Sequence, residues 1–232
     1  MKQIIIDNIK CNFFIKGTNA PVFIYINEPS IPVGGSQIID CIEKINPQSN
    51  YIFIEVFIEN WDRNLSPWFA KGNNNRIFAG EGSNTLNWLL NNLIPYIKQN
   101  YKEHRELFLT GYSLSGLFAL WALYETKVFD GIACCSGSLW FPMWEKYMLE
   151  KSLKKESIIY LSLGGKEEKT KNPTMTSVGD NTRQQLKLLK KDFLTKAATL
   201  EMNPGGHFSD TANRVAKGIN WLMSFCINTK SV

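Results

Sequence analysis

The chain has 232 residues, 44% of them apolar and 12% aromatic, enough to bury one sizeable core and too few for two ordinary domains. Its formal net charge of +5 comes from bases scattered among acids, and the densest stretch, 187–196, is interrupted by Leu188, Leu189, Asp192 and Phe193. That pattern is a solvated helix face and not a phosphate-binding stripe, which excludes nucleic acid as an expected partner.

In chain order, short β-rich runs alternate with longer helical patterns. Strands are expected at 11–15 and 22–26, a helix near 36–45 and a strand at 51–57. The stretch 60–83 is irregular, rich in Asn, Gly and aromatics, and longer than loops run without a role, so it is expected to wall a pocket. A helix over about 84–99 carries Leu86, Leu89, Leu90 and Leu93 on one face and should kink at Pro95. There follow a strand at 107–110, a helix at 113–123, a strand at 131–135, a short helix near 143–150 and a strand at 158–163. A helix opening at Asp180, a good N-cap residue, a strand at 197–202 and a helix at 211–225 close the pattern. The alternation predicts an α/β fold with a mostly parallel central sheet and helices on both faces, one domain over 1–232.

Five cysteines with no C-x-x-C pair, and only two histidines, argue against a disulfide framework, a zinc site or a histidine-rich metal site. Cys134 and Cys135 lie in an apolar run and read as small core residues. Residues 1–7 hold three consecutive apolar residues before a charge, too few for a signal-peptide core, and no later run reaches membrane-spanning length. A cytoplasmic protein with no membrane partner is the expectation; a homodimer is left open.

The segment 107–119 runs from a β-type stretch straight into a helix with Ser113 at the junction. A serine held at so sharp a turn needs small residues two before and two after it, and Gly111 and Ser115 supply them. The usual G-x-S-x-G has glycine where this chain has Ser115. With Ser115 as nucleophile, bulky Leu117 would stand at a small position, so Ser113 is the better choice. A serine at such a junction also caps helices, and its partners must decide between the two roles.

In a strand–elbow–helix hydrolase the acid and then the histidine follow the serine. His207 lies in the glycine-rich loop 203–208, between the last expected strand and the last helix. His104 precedes the strand that ends at Ser113, which puts it about 20 Å away at the opposite sheet edge. After the strand at 158–163, Glu167 and Glu168 offer adjacent carboxylates, one of which should orient His207. Asp180 is better explained as a cap, and Asp210 follows the histidine. The oxyanion hole would take the N–H of Leu114 and a second N–H from the loop after 22–26, at Asn27 or Glu28.

With its Gly-Gly-His loop the chain resembles the esterase family of α/β hydrolases that includes esterase D and the enterochelin esterases. The segments 61–68, 136–140 and 163–170 look like those of a bacterial subgroup of uncharacterised members. The resemblance implies the α/β-hydrolase fold. In that family the acid tends to stand three residues beyond the glycine ending its strand, which implies Glu167 when counted from Gly164. Trp68 and Trp140 are expected to line an acyl or alcohol pocket, against an equally good reading as core aromatics.

The expected activity is hydrolysis of a small-molecule carboxylic ester through an acyl-enzyme on Ser113, with His207 as general base and no cofactor. Acyl transfer would use the same residues with another alcohol replacing water. A non-catalytic binding protein on this fold would have no need of serine, acid and histidine in order.

Overall fold

A computed structural model of the chain describes residues 1–30, 33–72, 75–170 and 172–226; residues 73 and 74 of the irregular 60–83 stretch lie outside it. The runs of Val, Ile, Phe and Leu form the middle of one sheet: β3 (Val22–Asn27), β4 (Tyr51–Phe57), β7 (Leu107–Tyr112), β8 (Gly131–Cys135) and β9 (Ser157–Gly164). Continuous apolar runs of this kind belong to strands covered on both faces. With β1 (Lys2–Ile6), β2 (Ile9–Lys16) and β10 (Thr195–Asn203), eight strands pair in the order β1-β2-β4-β3-β7-β8-β9-β10.

Alternate residues of each strand face opposite layers. Ile24, Ile54, Leu109 and Leu161 enter one core with α3 (Gly82–Trp88), α4 (Ile94–Asn100) and α5 (Leu114–Glu125). Phe23, Phe53, Phe108 and Tyr160 enter the other, against α1 (Gly35–Ile45) and α9 (Thr211–Met223). The helix α5 is buried from Leu114 to Tyr124, as a helix apolar on all sides should be. The α/β-hydrolase architecture expected from the sequence is therefore the one observed.

Across the sheet β4, β3, β7, β8, β9 and β10 pair in parallel, and β2 runs against them, pairing antiparallel with both β4 and β1. The loops after β3, β7, β8, β9 and β10 consequently open on one edge of the sheet, where open α/β sheets bind their ligands.

Three local features depart from expectation, and the interruption expected at Pro95 takes a particular form. The edge strand β1 is absent from the sequence reading, and its outward Ile5 explains why, since the run lacks a clean polar alternation. Within 60–83 a short helix α2 (Trp61–Asn64) and a hairpin of β5 (Phe69–Lys71) and β6 (Ile77–Ala79) form instead of plain loop. The kink at Pro95 takes the form of a π-helical turn, Leu89–Leu93, between α3 and α4. Proline has no N–H and crowds the carbonyl four residues back, and the wider turn accommodates both. After α6 (Trp144–Glu150) and α7 (Pro173–Thr176), the helix α8 (Val178–Lys191) is capped at Ser177 and not at Asp180. Val178 is buried and extends the apolar stripe upstream; Asp180 lies in the first turn, ion-paired to Arg183 at 2.8 Å.

Candidate active site

Ser113 joins β7 to α5 with φ 59° and ψ −120°, outside the regions an L-residue favours. Gly111 makes that turn feasible: a Cβ there would lie 2.3 Å from the carbonyl carbon and oxygen of Ser115. Ser115, in place of the usual glycine, is fully buried and fastens the elbow, accepting from the Tyr112 N–H and donating to the Tyr112 carbonyl, both at 2.9 Å. Its hydroxyl is thus committed to the backbone, while that of Ser113 faces a cavity.

The histidine loop reaches Ser113 from β10. Gly205 takes φ +85°, and the loop is stitched to the turn after β9 by Gly165 N–H to the Asn203 carbonyl (2.8 Å) and Lys166 N–H to the Gly205 carbonyl (3.0 Å). His207 Nε2 stands 3.0 Å from Ser113 Oγ, and His207 Nδ1 stands 2.7 Å from Glu167 Oε2. With an ionised carboxylate at Nδ1, that nitrogen carries the hydrogen, and Nε2 is left to accept from the serine.

Glu167 opens a 3₁₀ turn, Glu167–Lys169, shortly after β9. Its side chain is 4% exposed. Oε1 accepts from Gly164 N–H at 2.6 Å, Ser136 Oγ at 2.7 Å and Arg214 Nη1 at 3.0 Å. Burial raises the affinity of its carboxyl for a proton; the hydrogen bond and charge of His207, with the bonds from Ser136 and Gly164, outweigh that and hold it below the ordinary carboxylate range. Glu168 points elsewhere, ion-paired to Arg183 at 2.6 Å. His104 is bonded through Nδ1 to the Tyr101 carbonyl, in the loop before β7.

The cavity beside Ser113 has a volume of about 450 Å³, and Glu28, Trp61, Phe78, Leu114, Trp140 and Phe208 are among its lining residues. The 60–83 stretch thus contributes Trp61, Arg76 and Phe78 to the wall. Trp140 is on this wall and Trp68 is not: Trp68 packs with Phe141, Trp144 and Tyr147 and donates Nε1–H to the Pro142 carbonyl. Asn27 is also off the wall. Its buried amide donates to Glu55 (2.9 Å) and the Val33 carbonyl (3.1 Å), while its Oδ1 accepts the Glu28 N–H at 3.0 Å. In this conformation the Glu28 N–H is taken up by Asn27, whereas Leu114, first residue of α5, has an N–H that helix geometry leaves without an intrahelical partner.

Four residues at the site escape the sequence reading. Ser138 Oγ lies 3.3 Å from Ser113 Oγ, Ser136 and Arg214 hold Glu167, and Tyr112 donates its hydroxyl to the His207 carbonyl. For Arg214 a signal existed: it occupies the apolar stripe of α9 beside Val215, Ile219 and Leu222. Among the described residues no cluster of His, Cys, Asp or Glu is placed to hold a metal ion, and no helix is long and apolar enough to cross a membrane.

Comparison with known proteins agrees with this architecture. Residues 50–207 match the family model described as "Putative esterase", so the chain belongs to that esterase family and is an ester hydrolase of the α/β-hydrolase fold. It is 26% identical over 181 residues to the uncharacterised protein YbbA of Bacillus subtilis, covering 74% of this chain and 72% of that one. Among solved structures it resembles the siderophore hydrolase EstA of Aspergillus nidulans, with a TM-score of 0.77 at 15% identity over 94% of this chain and 91% of that one. An IroE-like serine hydrolase of Shewanella oneidensis gives a TM-score of 0.72 at 16% identity, covering 93% and 76% respectively.

Proposed function

We propose that the chain hydrolyses small-molecule carboxylic esters through an acyl-enzyme on Ser113. The observation that carries this reading is the unbroken line from Ser113 Oγ through His207 to Glu167, at 3.0 and 2.7 Å. In the first half-reaction His207 Nε2 takes the hydroxyl proton as Ser113 Oγ adds to the ester carbonyl. Glu167 fixes the ring and stabilises the imidazolium. The Leu114 N–H faces the oxyanion, and collapse of the tetrahedral adduct transfers the proton from Nε2 to the departing alcohol. Water then repeats the sequence on the acyl-enzyme and releases the acid, returning Ser113 and His207 to their starting states. No cofactor enters either step.

The aromatic wall of Trp61, Phe78 and Trp140 supports an ester with a flat or apolar group beside the carbonyl. The name of EstA makes a siderophore ester a reasonable inclusion in a substrate panel. The test is a panel of p-nitrophenyl esters of graded chain length with the wild type and Ser113→Ala. Turnover by the wild type that vanishes in the variant is expected; equal rates for the two would overturn the reading.

A further inference from the structure

Arg214 is the fourth residue of α9 and is 1% exposed. A cation near a helix N-terminus opposes the helix dipole, and burying a guanidinium is costly, the more so here because its Nε–H has no hydrogen-bond partner among the described residues. Neither helix stability nor packing therefore explains its place. Its hydrogen bonds do. The two N–H groups of Nη1 are shared among Tyr112 Oη (3.1 Å), Ser136 Oγ (3.1 Å) and Glu167 Oε1 (3.0 Å); Nη2 donates to the carbonyls of Pro204 (2.8 Å) and Gly206 (2.9 Å). One planar group thus ties the acid, the histidine loop on both sides of Gly205, and, through Tyr112, the carbonyl of His207 itself.

We infer that Arg214 is a positioning residue: by tying the acid and the histidine loop to one guanidinium it holds His207 in line between Glu167 and Ser113. The inference rests on the proposed roles of those three residues. Lysine cannot replace it fully, because an ammonium lacks the planar fork that meets Glu167 and two loop carbonyls together. The charged and titratable groups around the guanidinium are few. Glu167 and Tyr112 touch it, and His207 lies across Glu167. The Cys135 thiol donates to the Arg214 backbone carbonyl, Glu201 on β10 is turned to Lys217 and Tyr160, and Asp210 at the start of α9 is bonded to Asn213. Removing the positive charge leaves the carboxylate less balanced, which favours a proton on the imidazole and moves the acidic limb of activity to higher pH.

The experiment compares wild type, Arg214→Met and Arg214→Lys in kcat, KM, the pH dependence of kcat/KM and thermal unfolding, using one p-nitrophenyl ester. The methionine variant is expected to lose about 100-fold in kcat, as for a misplaced catalytic group, with little change in KM and with its acidic limb displaced upward. The lysine variant should lose less in kcat and keep the acidic limb where the wild type has it. A folded Arg214→Met with wild-type kcat and pH profile, altered only in melting temperature, would overturn the inference. If that variant does not fold, Arg214→Lys decides alone, since wild-type kcat in it would show that the fork is not needed. An inactive wild type would instead count against the ester hydrolase reading.

Discussion

Ser113 holds φ 59°, which costs about 1–3 kcal/mol in a residue with a side chain and persists because the elbow around it is over-determined. Part of that determination is Ser115. Ser115→Ala loses two hydrogen bonds to Tyr112, so it should lower stability by about 1–3 kcal/mol and keep most esterase activity, read by urea unfolding and turnover on the same sample. The two neighbouring glutamates should behave oppositely. Glu167→Gln removes the charge facing His207 and should cut kcat by up to about 10⁴-fold, as loss of the orienting carboxylate does in serine hydrolases. Glu168→Gln gives up only a partly exposed pair with Arg183, worth at most about 1 kcal/mol, and should leave kcat alone. The reverse ranking would reassign the acid. Because His207 must accept a proton at Nε2, activity should fall through one ionisation toward acid pH, and a flat profile would exclude it as the base.

Among the elements, those that build the site were the most legible in the sequence. The strands 51–57 and 131–135 form with the expected bounds, and β7, β9 and β10 extend their expected runs by a residue or two at an end. Their apolar runs are bounded by glycine or polar residues, so local pattern and tertiary burial agree. The elements that escaped are decided by neighbours. β1 exists because β2 offers it an edge, and the hairpin of β5 and β6 because Phe78 packs on Trp140 and Phe141. The two tryptophans flagged in the sequence part for the same reason: an aromatic residue carries no local sign of whether it faces a cavity or a core. Their variants should part as well. Trp68→Ala opens the cluster with Phe141, Trp144 and Tyr147 and should cost about 3 kcal/mol, near the low end for a tryptophan truncation, with little change in KM. Trp140→Ala should chiefly change KM or chain-length preference in the ester panel. Equal kinetic effects would contradict the assignment of Trp140 to the cavity and Trp68 to the core.

At the scale of the whole molecule, the parallel sheet gathers the loops after β7, β9 and β10 on one edge, which is how residues 94 and 40 positions apart meet as Ser113, His207 and Glu167. Buried and half-buried carboxyls across the molecule make the fold sensitive to acid. Burial would raise the carboxyls of Glu125, Glu167 and Glu201, but their hydrogen-bond partners more than reverse it and all three are held below the ordinary range. A carboxyl depressed in the folded state stabilises the fold above its unfolded value and loses that contribution as pH falls through the folded value. The melting temperature should therefore decline below about pH 4, the ordinary carboxylate range, and less steeply in Glu167→Gln. The central claim, that Ser113 is the nucleophile of an ester hydrolase, is tested most directly by reacting the protein with a fluorophosphonate and mapping the adduct by peptide mass spectrometry. A single adduct on Ser113, absent in Ser113→Ala and slowed in His207→Ala but not in His104→Ala, is the predicted result; an adduct on another serine, or a Ser113→Ala protein that labels fully, would contradict it.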